Sequence, residues 1–296
     1  MADPLLTRVK SKLHLTARRR VTHALDGQYR SLQHGRSMDF EDLREYTTGD
    51  EVKDIDWNAT ARLGTTLVKR YHAERRHRML FVVDRGRNMA AQSDGGTEKR
   101  MLAVLITGIL GYLAIRHGDE VALATGDAES HRLMPYRTSE RELERMLHEA
   151  HDHVSLDGSQ SDLPGLLQHI RQRLRGHHFL VVIADETELT DEIQELIRRL
   201  TVQHELVWIE IADANPLAGG NAASLSYDVS GSWRMPSLLA QNEQLAAELR
   251  ANERNRTRRL SALVTELGAS FARVHSEEDV MPALIELLKR RGRTHA

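Results

Sequence analysis

The chain has 296 residues, 40% hydrophobic and 28% charged, with a formal net charge of −2 and no cysteine. Such a length suits one large α/β domain plus an added segment, the near-neutral charge gives no whole-chain reason for nucleic acid or membrane binding, and without cysteine there is no disulfide, thiolate metal site or thiol nucleophile. No window approaches the ~20 apolar residues of a membrane span, and the first residues lack the apolar core of a signal peptide, so the expectation is a cytoplasmic protein.

Charge is unevenly spread. Residues 1–36 carry Arg8, Lys10, Lys12, Arg18, Arg19, Arg20, Arg30 and Arg36 against Asp3 and Asp26. Leu5, Val9 and Leu13 recur every four residues and predict a short amphipathic helix with a basic face. Residues 18–31 give no clear pattern. Residues 35–72 read as an irregular, charge-dense segment that ends in a strand at 66–71. Beyond it, apolar strands alternate with helices. Strands are expected at 79–84, 121–126, 179–185, 205–211 and 271–275, with a paired edge strand at 131–136. Helices are expected at 98–117, 139–151, 161–175 and 191–202. A long helix at 238–267 is expected to break near Asn252–Asn255. A last helix should run from an N-cap at Ser276 to about residue 290. The glycine-rich stretch at 217–223 reads as a loop.

Apolar strands alternating with helices predict a doubly wound, mostly parallel α/β sheet with helices on both faces. Two of the strands, ending VVD and IAD, finish at Asp84 and Asp185. Ligands of open parallel sheets sit at the carboxyl ends of the strands, near a switch in strand order, so both aspartates should share one rim.

Residues 43–62, LREYTTGDEVKDIDWNATAR, form the densest local pattern of the chain. Gly35, Phe40, Arg44, Tyr46, Gly49, Asp50, Asp54, Asp56, Trp57 and Arg62, with Asp84 further on, resemble the signature of the bacterial family called domain of unknown function 58. Lys53 stands where members of that family usually carry Arg. The resemblance implies a von Willebrand factor A-like (vWA-like) domain over 75–296, preceded by a family-specific segment over 1–74 docked on it. On the residues alone, Asp54 and Asp56 lie two apart and share one side of an extended segment. They make either an acidic metal or catalytic pair, or partners for Arg44, Arg62 and nearby backbone; the second reading is preferred. Trp57, an apolar ring in a polar segment, is expected to bury against the core.

The vWA resemblance also implies a Mg²⁺ site built from Asp-x-Ser-x-Ser, a Thr and a final Asp. Hydroxyl and carboxylate oxygens suit a hard cation. Here the first motif reads Asp84-Arg85-Gly86-Arg87-Asn88. Ser161 aligns with the Thr, and Asp185 with the last Asp. Gly86 brings no side-chain oxygen, so the candidate set Asp84, Asn88, Ser161 and Asp185 is degenerate. Either it holds Mg²⁺, or Arg85, Arg87 and backbone N–H groups neutralise the aspartates; the second is preferred, with no cofactor required. Arg85 and Arg87 are also expected to project from the rim as partner-docking charges. His151-Asp152-His153 and His177-His178 lack a metal-ligand spacing. The basic runs at 18–20 and 75–78 lack interleaved aromatics, so nucleic acid is not expected.

There is no P-loop and no nucleophile elbow. The family resemblance implies a MoxR-type AAA+ ATPase as partner. The expected function is a non-enzymatic adaptor that recruits or positions a client for that ATPase. The opposing expectation is a metal-dependent hydrolase using Asp84, Asp185 and the Asp54/Asp56 pair.

Overall fold

In this computed structural model the structure describes residues 4–16, 25, 27, 29, 40–47, 55–71, 77–214 and 243–294. The predicted N-terminal helix is α1 (Leu5–Thr16). Leu5, Leu6, Val9 and Leu13 make its buried stripe, the spacing that a one-sided helix requires. Strand β1 (Phe40–Glu45), helix α2 (Trp57–Leu63) and strand β2 (Leu67–Tyr71) follow, and β1 pairs antiparallel with β2. The segment expected to be irregular therefore contains regular structure, held by local capping. Asp56 accepts a hydrogen bond from the Ala59 N–H at 3.0 Å and caps α2, an orphan donor that a helix start must satisfy. Gly64, at φ +73°, ends the same helix, in the left-handed conformation that glycine adopts without strain.

Next come β3 (Arg78–Asp84), a 3₁₀ turn at Arg87–Ala90, α3 (Lys99–Arg116), β4 (Glu120–Gly126), β5 (His131–Arg137) and α4 (Glu140–Asp152). They are followed by α5 (Leu163–Arg173), β6 (Phe179–Asp185), α6 (Asp191–Gln203), β7 (Glu205–Ile211), α7 (Glu243–Glu266), β8 (Ser270–Val274) and α8 (Val280–Thr294). The main sheet has six strands in the order β5-β4-β3-β6-β7-β8. All neighbouring pairs are parallel except β4 with β5. This is the doubly wound, vWA-like α/β sheet that the sequence predicts, with the edge strand antiparallel.

Alternation along β3 divides the core. Met79, Phe81 and Val83 join the cluster that contains α1, α3, α4 and α8 residues. Leu80 and Val82 join the opposite cluster, with α5, α6 and α7 residues. Successive strand side chains point to opposite faces, so both faces must be covered and the strand reads as a continuous apolar run.

Helix α3 is buried along nearly its whole length. Two of its glycines allow close approach. A Cβ at Gly108 would lie 2.6 Å from a Val9 methyl, and one at Gly111 would lie 2.8 Å from Leu143. The N-terminus of α1 is fixed by α4, whose Glu144 carboxylate accepts from the N–H groups of Leu5 and Leu6 at 2.8 and 2.7 Å. Those are helix-start donors with no partner of their own, and the negative charge suits that end of the helix. Tyr29 donates to Asp119 at 2.6 Å.

Three expectations are corrected. The segment around Trp57 is not irregular. Helix α7 continues through Asn252–Asn255 without a break. The last helix starts at Val280, because the Ser276 hydroxyl accepts from Asp279 N–H at 3.3 Å and caps a preceding turn. Gly35, Gly49, Asp50 and Asp54, the basic residues at 18–20 and 75–76, and the stretch at 217–223 lie outside the described residues.

Candidate functional site

The sheet reverses its winding between β3 and β6, which are neighbours. Asp84 and Asp185 end those two strands, so the rim expected from sequence forms at the switch point. The loop before α5 adds Ser161, and the 3₁₀ turn adds Asn88. All four candidate residues meet here.

Their donors and acceptors face one another. One Asp84 oxygen accepts from the Gly86 N–H at 2.9 Å, and the other accepts from the Ser161 hydroxyl. One Asp185 oxygen accepts from the Lys99 ammonium at 2.7 Å and from the Glu186 N–H at 2.7 Å. Its other oxygen accepts from the Asn88 side-chain amide at 3.0 Å. Lys99 also bonds Asp213, which follows β7.

Burial pushes the Asp84 carboxyl up to about 6, against the lowering effect of the Ser161 and Gly86 hydrogen bonds. Partial desolvation, with the charge of Asp185, likewise raises Asp213 to about 6, while Lys99 opposes the rise.

These residues do not fit a Mg²⁺ site. The Lys99 ammonium already stands among the carboxylates. Asn88 turns its donor, not its oxygen, toward Asp185. A Cβ on Gly86 would overlap the backbone of Ser161, so the first serine of the metal-binding pattern has no room in this loop arrangement. Among the described residues no three His, Asp or Glu side chains converge as metal ligands would. His151 pairs with Asp152 at 2.9 Å. His178 meets the Tyr136 hydroxyl at 2.7 Å and the Arg175 carbonyl at 2.9 Å.

Arg85 departs from expectation. It neither neutralises the rim aspartates nor projects from the rim. Its side chain is 8% exposed and donates to Asp127 at 2.8 Å, with Glu149 at 3.6 Å and a bond to the Ser130 hydroxyl. The chain turns it toward Asp127 of the β4–β5 loop and Glu149 of α4, away from the rim. Arg87 is half-buried in the 3₁₀ turn, where its N–H donates to the Ser159 carbonyl at 2.8 Å.

The signature residues lie elsewhere. Trp57 does not bury against the core: it is 64% exposed, at the first position of α2. Tyr46 is 39% exposed and Arg62 is exposed. Phe40 and Arg44 belong to β1. Asp56 is committed to capping α2.

Sequence reading missed Lys99 and Asp213. A signal was present. A lysine opening a helix as apolar as α3, where a cation opposes the dipole, hints at acidic partners, but not at which acids the sheet brings to it. It also missed the network beside the rim. Glu186 pairs with Arg256 and Arg273, and Arg273 also reaches Glu253 and, at 3.3 Å, Glu210. A groove of about 500 Å³ next to this network is lined by Glu188, Thr190, Asn252, Asn255, Arg256 and Arg259, with Leu189.

No helix among the described residues is long and apolar enough to cross a membrane. The chain is 28% identical, over 215 residues, to uncharacterized proteins of Mycobacterium tuberculosis and Mycobacterium bovis; the match covers 71% of this chain and 66% of theirs. It therefore spans about two thirds of the length of these relatives. Similar solved structures include an aerotolerance-related membrane protein from Bacteroides fragilis, at 12% identity and a TM-score of 0.45, covering 72% of this chain and 99% of that one. A von Willebrand factor type A protein from Catenulispora acidiphila matches at 12% identity and a TM-score of 0.40, covering 77% of this chain and 44% of that one. The strand order of this chain itself carries the fold. The sequence model of the family described as "Protein of unknown function DUF58" matches residues 42–218, and the chain belongs to that family.

Proposed function

We propose that this protein is a non-enzymatic interaction module of the cytoplasm, which recruits or positions a client for a MoxR-type AAA+ ATPase. The observation that carries this reading is the exposure of Trp57, at 64%, on a short helix braced by a two-stranded sheet. Leaving so large an apolar ring in water costs free energy that burial would recover. Trp and Tyr are the side chains enriched at the energetic centres of protein interfaces. Tyr46 and Arg62, both exposed, extend the polar-aromatic character of this segment. The rim supports the same reading, because its carboxylate oxygens are engaged with Lys99, Asn88, Ser161 and backbone N–H groups. The ATPase is implied by the family resemblance and would supply the energy.

The raised pKa values of Asp84 and Asp213 favour a hydrolase, since acids at catalytic sites are tuned upward in this way. Two assays separate the readings. Titration of the protein against a MoxR-type ATPase from the same host should give saturable binding at or below tens of micromolar. No binding in that range, with or without nucleotide, would remove the adaptor reading. Hydrolysis of a generic ester or phosphoester, lost in Asp84→Asn, would replace it with the enzymatic one.

A further inference from the structure

Among the described residues, the rim gathers Asp84, Asp185 and Asp213 around the Lys99 ammonium, a cation that is part of the chain. The Lys99 side chain is 1% exposed, yet it reaches two carboxylates from different parts of the sheet: Asp185, at 2.7 Å, at the end of β6, and Asp213 beyond β7. We propose that the Lys99 ammonium is the resident cation of this switch point, tying the ends of β6 and β7 to the start of α3, and that the rim is consequently metal-independent and closed to a partner's carboxylate.

Four observations support this. First, a buried ammonium needs acidic partners to offset its desolvation, and Lys99 has two. Second, both oxygens of Asp84 and both of Asp185 already accept hydrogen bonds. A divalent ion would have to displace the ammonium and at least one neutral donor. Third, the loops have closed on the place of the missing serine, since a side chain on Gly86 would run into Ser161. A Mg²⁺ ion demands near-ideal octahedral geometry with several oxygen ligands, and the set here has lost one of them. Fourth, Lys99 opens α3, where the helix dipole repels a cation. Only the acidic pair makes that position favourable, so the lysine and the acids are one device. A metal at such a rim leaves a coordination position for an incoming acid. A buried ammonium with its acids in place leaves none.

The test uses the intact protein and its thermal midpoint. For wild type, raising Mg²⁺ or Mn²⁺ into the millimolar range at constant ionic strength should give no saturable shift. A saturable rise that Asp84→Asn or Asp185→Asn abolishes would overturn the proposal. Lys99→Met should lower the midpoint by roughly 10 °C, because it strands the buried Asp185 without its cation. The double variant Lys99→Met/Asp185→Asn should regain a substantial part of that loss. An unchanged midpoint in Lys99→Met, or simple additivity in the double variant, would contradict the bridge. If Lys99→Met does not fold, Asp213→Asn removes only the half-exposed partner and should still lower the midpoint; no change there would count equally against the proposal.

Discussion

Glu210 shows how much one buried carboxyl can govern in this protein. It is fully buried on β7, and one of its oxygens accepts no hydrogen bond. Thr257 donates to the other at 2.9 Å. Burial is the main reason its pKa rises to about 7, with Arg273 pulling it down. The sign follows from linkage. The folded state holds a proton that the unfolded chain releases near its usual carboxylate pKa, so stability falls as pH rises from about 4.5 to 7. Glu210→Gln should therefore gain stability relative to wild type across that interval, by on the order of 2 kcal/mol. Urea midpoints at pH 5 and pH 8 measure it, and a difference that stays flat or reverses would show that Glu210 is ionised throughout.

Arg85 makes the opposite case, since its charge serves buried acids. Arg85→Ala leaves Glu149 (6% exposed) and Asp127 without that guanidinium. The expected cost is about 3 kcal/mol, typical of breaking one side of a buried pair. An unchanged urea midpoint would mean that the pair contributes nothing net. At this scale the sequence was partly legible. Asp84 and Asp185 could be read because they close apolar strands at matching positions. The destination of Arg85 could not, because a flexible side chain beside several acids takes the partners that its loop presents. Trp57 could not either: burial was inferred from its apolar ring, whereas its place at the outer start of a short helix decides its exposure.

Among the elements, α1 and α3 meet at one close approach. Gly108 is there because Val9 fills the space that a side chain would need, 2.6 Å from the ideal Cβ position. Alanine is the better helix former by about 1 kcal/mol, so Gly108→Ala would stabilise a free helix. In this protein it should instead cost roughly 1–3 kcal/mol by overpacking. Val9→Ala should relieve that cost, so the double variant should be less destabilised than the sum of the singles. A stabilised Gly108→Ala would show that α1 does not sit where it is described. The strands and most helices were legible because burial on two faces leaves uninterrupted apolar runs; in the structure Ser139, Asp162 and Thr190 cap three of those helices with side-chain bonds. The strand expected at 66–71 is β2, but its partner β1 was hidden: FEDLRE carries too many charges to show an alternating apolar pattern, and its antiparallel pairing with β2 defines it instead.

For the whole molecule, a mostly parallel sheet covered on both faces followed from the alternation of elements; the order β5-β4-β3-β6-β7-β8 came from the structure, and it places one rim at the switch point. What that rim holds was not legible, because the decisive groups, Lys99 and Asp213, are separated from Asp84 and Asp185 in sequence and meet only through the sheet. On the proposed reading, with the rim closed on its own lysine, recognition falls to the exposed residues of the segment around α2. The central claim is tested most directly by measuring the affinity of wild type and Trp57→Ala for a MoxR-type ATPase, the proposed partner, with their thermal midpoints in parallel. Loss of an interface tryptophan at an energetic centre typically costs about 2 kcal/mol or more, so Trp57→Ala should bind roughly 30-fold more weakly while its midpoint stays within about 2 °C of wild type. Equal affinity in the two proteins, or a midpoint that collapses with the tryptophan, would contradict it.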